Sequence, residues 1–117
     1  MQKNIFGKKG ELIAANYLKK QKYKILQMNY KNKIGEIDII AKDKDYIVFV
    51  EVKTRMSSAF GDPLEAIDED KQFKIRNVAT MYLMKNKLLD KVPIRFDAVS
   101  VLGDEEHKIR HIKDAFK

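Results

Sequence analysis

Two short stretches of this sequence set charged side chains inside apolar runs. One is Gly35 to Ala41, G-E-I-D-I-I-A, and the other is Tyr46 to Thr54, Y-I-V-F-V-E-V-K-T. Both are rich in β-branched residues and read as strands. Residues two apart on a strand share a face. Glu51 and Lys53 therefore share one face of the second run, and Val48, Val50 and Val52 share the other. Glu36 and Asp38 likewise share a face of the first. If the two strands are neighbours, Asp38 lies beside Glu51, and two carboxylates and a lysine converge on one patch.

Such a patch has a specific chemistry. Charges amid apolar strands are costly to bury unless they are paired or bound to metal. A hard dication such as Mg²⁺ takes carboxylate and carbonyl oxygens and keeps several waters. Asp38 and Glu51 supply the carboxylates, and the Val52 backbone carbonyl is a third candidate ligand. Lys53 could orient an attacking water or stabilise charge growing on a phosphate. The same side chains could instead form cross-strand ion pairs on a solvated sheet face, because E-x-K alone is a weak motif. Glu11 stands apart as the sole acid before residue 34. It could reach the pocket from a helix, or pair in solvent with a lysine such as Lys8.

The elements that must position these residues follow from periodicity. Asn4 to Gln21 reads as a helix with Ile5, Leu12, Ala15 and Leu18 at helical spacing, weakened early by Gly7 and Gly10. Tyr23 to Tyr30 reads as a strand ahead of the two described above. The short polar connections between the three favour an antiparallel meander. Ser57 to Asp62 reads as a loop, and Pro63 suits the first turn of a helix running from about Leu64 to Lys85. Ile67, Ile75, Val78, Ala79, Tyr82 and Leu83 mark its inward face. Ile94 to Leu102 forms a fourth strand, Gly103 to Glu106 an acidic turn, and His107 to Ile112 a short final strand. The expected order is α-β-β-β-α-β-β, in a single α/β domain spanning residues 1–117.

Composition bounds the function classes. At 117 residues, 44% hydrophobic and 35% charged, the chain is globular in balance. The absence of cysteine excludes disulfides, thiolate zinc sites and a Cys nucleophile. No apolar run approaches the ~20 residues of a membrane helix, and no secretory signal is evident, so a cytoplasmic protein with no membrane partner is expected. The net charge is +7, yet residues 1–33 alone hold nine lysines against Glu11. A basic flank beside an acidic centre suggests a polyanion partner; a lysine-rich surface also simply keeps a small protein soluble. Lys8, Lys9, Arg55, Lys71, Gln72 and Lys74 are the candidate nucleic-acid contacts. His107 and His111 read as a chance surface pair, Asp97 as a residue that hydrogen-bonds into the site from a neighbouring strand or pairs with Arg95 or Lys53, and Met81 and Met84 as core filler.

These motifs carry a resemblance. G-K-K-G-E-L-I-A-A-N-Y-L (Gly7 to Leu18), G-E-I-D-I-I-A and V-F-V-E-V-K-T-R (Val48 to Arg55) resemble the YraN-type family of small bacterial proteins. Phe60-Gly61, Lys71-Gln72 and Arg95-Phe96-Asp97 extend the match. That family looks like a relative of archaeal Holliday-junction resolvases in the PD-(D/E)xK nuclease superfamily, although Ile37 rather than proline precedes Asp38. The resemblance implies a restriction-endonuclease-like mixed sheet flanked by helices. It also implies a catalytic set of Glu11, Asp38, Glu51 and Lys53, with Mg²⁺ or Mn²⁺ held by Asp38, Glu51 and the Val52 carbonyl, and Glu11 as a further ligand. The implied activity is hydrolysis of nucleic-acid phosphodiesters, with DNA as partner and branched DNA as a candidate target. A homodimer would suit a resolvase that cuts two strands. The alternative is a nucleic-acid-binding or adaptor module with a silent site.

Overall fold

The computed structural model describes residues 2–55, 67–103 and 107–117. Its elements are α1 (Gln2–Lys20), β1 (Lys24–Lys31), β2 (Glu36–Asp43), β3 (Tyr46–Arg55), α2 (Glu69–Lys85), β4 (Ile94–Leu102) and β5 (Lys108–Phe116). The five strands form one sheet in the order β1-β2-β3-β4-β5. β1, β2 and β3 pair antiparallel, as short connections require. β3 and β4 are parallel, with α2 in the crossover between them, and β5 returns antiparallel to β4. This mixed α/β sheet in the order α-β-β-β-α-β-β is consistent with a restriction-endonuclease-like fold.

Side-chain alternation divides the core into two layers. Ile47 and Phe49 of β3 join Ile75, Val78, Ala79, Tyr82 and Leu83 of α2. Val48 and Val50 join Ala14, Ala15 and Leu18 of α1 on the opposite face. The inward face expected for α2 is buried throughout. Its start differs: Ile67 and Asp68 precede the helix, and Asp68 caps it by accepting the Lys71 N–H. The loop and proline expected before it lie in residues 56–66, outside the described residues, as do residues 104–106 of the acidic turn.

Three expectations fail on packing. Leu12 is 61% exposed, and Ala14 takes its place against the sheet. Met81 and Met84 are 48% and 57% exposed on the outer side of α2, not core filler. A helix offers only about a 100° stripe to the core, and the large residues on the inward α2 stripe already fill it.

His111 is not a surface residue. β5 runs on to Phe116, and its pairing with β4 carries His111 inward beside Val99. His111 Nε2 lies 2.8 Å from Asp97 Oδ2, and its Nδ1 lies 3.2 Å from the Tyr17 hydroxyl. Asp97 is fully buried, and it also accepts Arg95 Nε at 2.8 Å, Arg95 Nη2 at 3.0 Å and the Asp114 N–H at 3.0 Å. Arg95 continues to Asp43 Oδ2 and the Tyr23 hydroxyl. Burial alone would raise the Asp97 carboxyl, but His111, Arg95 and the Asp114 N–H outweigh it and hold it below the usual range. The network ties α1, β2, β4 and β5 together at the end where β4 begins.

An acid lowered on folding contributes stability above its unfolded pKa, and that contribution is lost as pH falls toward the folded value. Asp97→Ala should therefore cost about 3–5 kcal/mol at neutral pH, by stranding Arg95. Urea titration should show the deficit shrinking as pH drops below about 4.

Candidate metal centre

The site forms where β2 and β3 part. Their ladder runs from Asp43 and Tyr46 to Ile39 and Val50 and stops there. Among the described residues, β3 continues to Arg55 paired only with β4. Beyond Val50 its β2-facing edge is open, and Asp38 fills the gap: Asp38 Oδ2 accepts the Val52 N–H at 2.8 Å. A strand residue directs its N–H and C=O toward the same neighbour. The Val52 carbonyl therefore faces Asp38 as well.

The same place breaks the alternation of β2. Ile39 and Ala41 belong to the α1-side core, and Ile40 to the α2 side, as a regular strand requires. Ile37 should then return to the α1 side, yet it packs on the α2 side. Asn29 of β1, between the partners of Ile37 and Ile39, has φ 51°. This left-handed conformation is one that Asn tolerates better than most residues. Asp38 and Glu36 meet different partners here. Asp38 turns to Val52, whereas Glu36 turns to Asn29.

Glu11 reaches this region from α1. Gly10, Glu11, Ala14 and Leu18 follow the helical spacing that faces the sheet. Gly10 is buried, and a Cβ there would collide with Thr54 Cγ2 of β3, so only glycine lets the helix approach this closely. Glu11 is half-buried and accepts Asn29 Nδ2 at 2.8 Å, while Glu36 accepts the same amide nitrogen at 3.0 Å. Asn29 thus joins two carboxylates beside Asp38. Sequence reasoning missed it, because the feature that matters is a positive φ within a strand.

On β3, Glu51 is 7% exposed. Lys71 Nζ, from the first turn of α2, lies 2.8 Å from its Oε1, and Lys53 Nζ lies 3.9 Å from the same atom. Burial, then repulsion from Glu51, pushes the Asp38 carboxyl up to about 8 despite the Val52 N–H. Burial, then the neighbouring Lys71, pulls Lys53 down to about 8. Burial alone would lower Lys71, but Glu51 outweighs it and raises this ammonium. Among the described residues no three His, Asp or Glu side chains close around a single point. The groups here that could hold a cation are Asp38, Glu51 and the Val52 carbonyl. They fit a cation that binds one or two carboxylates and keeps several waters, as Mg²⁺ does.

The basic candidates divide. Lys8, Lys9 and Lys74 are exposed. Arg55 donates to the Thr54 carbonyl. Gln72 donates its side-chain amide to the Ile67 carbonyl, which fixes the entry to α2. Lys71 is held by Glu51. Phe60, part of the motif that suggested the family, lies outside the described residues.

The fold is a mixed α/β sheet consistent with a restriction-endonuclease-like architecture, and Asp38, Glu51 and Lys53 lie on two neighbouring strands where their ladder ends. Residues 10–101 match the uncharacterised protein family UPF0102. Relatives of that family align along nearly their whole length. One from Alkaliphilus oremlandii is 49% identical over 118 residues, covering 99% of this chain and 100% of the relative. One from Lachnoclostridium phytofermentans is 48% identical, covering 99% and 96%. One from Clostridium botulinum is 46% identical, covering 95% and 93%. The chain belongs to the UPF0102 family, the YraN-type family its motifs resemble. Among the described residues, no helix is long and apolar enough to cross a membrane.

Two predictions follow from this geometry. An acid raised on folding binds more protons folded than unfolded, so metal-free stability should fall as pH rises from about 4 to about 8. Asp38→Asn should melt close to wild type at pH 4 and several degrees or more above it at pH 8, in scanning calorimetry with chelator. Gly10→Ala should cost about 1–3 kcal/mol by forcing α1 away from Thr54, measured by denaturant titration.

Proposed function

We propose that this protein is a divalent-metal-dependent phosphodiesterase acting on nucleic acid, with DNA as the favoured substrate. The observation that carries the reading is Asp38: a carboxylate set in a strand gap, bonded to the Val52 N–H and pushed up to about 8 by burial and by Glu51. Two carboxylates held together against their repulsion, with a backbone carbonyl beside them, are a donor set waiting for a cation.

Each side chain then has a role. Asp38, Glu51 and the Val52 carbonyl would hold Mg²⁺ or Mn²⁺. When bound, the ion would polarise the phosphate and make hydroxide available near neutral pH. Lys53, lowered to about 8, can hold the attacking water in line or receive its proton. Its ammonium form can stabilise charge on the phosphate oxygens. Glu11, tied through Asn29, borders the pocket on the α1 side. The exposed Lys8, Lys9 and Lys74 stand on the opening turns of the two helices and suit a polyanionic backbone.

Purified protein should cut branched, single-stranded or duplex DNA in Mn²⁺ or Mg²⁺ and lose that activity in chelator. Lys53→Ala should lower the rate by about 10²–10³-fold with DNA affinity retained. Asp38→Ala and Glu51→Ala should be inactive. Cleavage that survives both carboxylate substitutions would sink the reading.

A further inference from the structure

Resting on that reading, we propose that Lys71 is an exchangeable counter-ion. It neutralises Glu51 in the metal-free protein, and leaves for the substrate phosphate when the carboxylate takes up a divalent cation.

The placement of Lys71 is locally unfavourable. It stands in the first turn of α2, three residues after the Asp68 cap. The positive end of the helix dipole lies there and disfavours a cation. The other charged residues of that turn, Glu69 and Asp70, are acids, as the dipole prefers. What offsets the cost is the 2.8 Å contact with Glu51 Oε1. A charge-assisted bond of this length is among the stronger polar contacts a protein makes.

That contact also sets an ammonium against one of the two oxygens that Glu51 could offer a metal. Lys71 and Lys53 both address Glu51 Oε1, at 2.8 and 3.9 Å. The two differ in freedom. The Lys53 side chain is 13% exposed, whereas that of Lys71 is 38% exposed on a flexible stem at a helix end. Lys71 is the one able to withdraw. An ammonium displaced from Glu51 remains beside the pocket, where a substrate phosphate would offer it a new anion. The backbone N–H of Lys71 caps on Asp68 independently of its side chain, so replacing the side chain leaves the cap in place.

The test is Mn²⁺ binding to the full chain, without DNA, by titration calorimetry. Lys71→Met should bind Mn²⁺ roughly tenfold tighter than wild type, the scale of one lost charge-assisted bond. Lys71→Arg should stay near wild type. With a nuclease-resistant phosphorothioate duplex, Lys71→Met should bind more weakly than wild type in Mn²⁺ and equally well in chelator. Wild type binding Mn²⁺ with Lys71→Met no tighter would overturn the exchange and leave the metal site standing. Neither protein binding Mn²⁺ would overturn both. Equal duplex affinity in Mn²⁺ would remove the phosphate contact from the proposal.

Discussion

The early end of the β2–β3 ladder is the constraint on which the site depends. A backbone N–H at a sheet interior needs a partner. At Val52 that partner is the Asp38 carboxylate instead of the β2 backbone. One substitution of side chain for main chain has three consequences. It anchors Asp38 in the sheet, it turns the Val52 carbonyl toward the same gap, and it lets β2 slip so that Ile37 packs on the α2 side. A regular ladder carried one residue pair further would leave no room for the carboxylate.

Two charged clusters in this small domain obey opposite electrostatic logic. Around Asp97, donors exceed charge: Arg95, His111 and a backbone N–H all serve one carboxylate, which is held below its usual range. That is a satisfied structural network, and its members reach across α1, β2, β4 and β5. Around Asp38, charge exceeds donors. A second carboxylate crowds it, the Val52 N–H does not compensate for burial, and it is pushed up. Hydrogen-bond donors around a carboxyl lower it, whereas burial and a second carboxylate raise it.

Much of this arrangement was legible in the sequence. The parity of β3 placed Glu51 and Lys53 opposite Val48, Val50 and Val52, and the period of α2 marked its buried face residue by residue. Short polar turns made β1, β2 and β3 an antiparallel meander. The failures share a cause. Leu12, Met81 and Met84 are apolar residues beyond the stripe that the sheet can cover. His111 depended on how far β5 extends, and Asn29 on a single reversed dihedral. None of these is a pattern that repeats along the chain.

Local periodicity settled which residues share a face, because the strand repeat of two and the helix repeat of 3.6 are properties of the backbone itself. It could bring Glu51 and Lys53 together, since they lie on one strand. It could not decide that Glu11, Asn29, Asp38 and Lys71, from four different elements, meet at one gap. Only tertiary packing did that: Gly10 lets α1 close on Thr54, the crossover delivers the first turn of α2 over Glu51, and the broken ladder admits Asp38. Charges separated by tens of residues acquire a strong interaction only when the fold brings them close and lowers the dielectric between them.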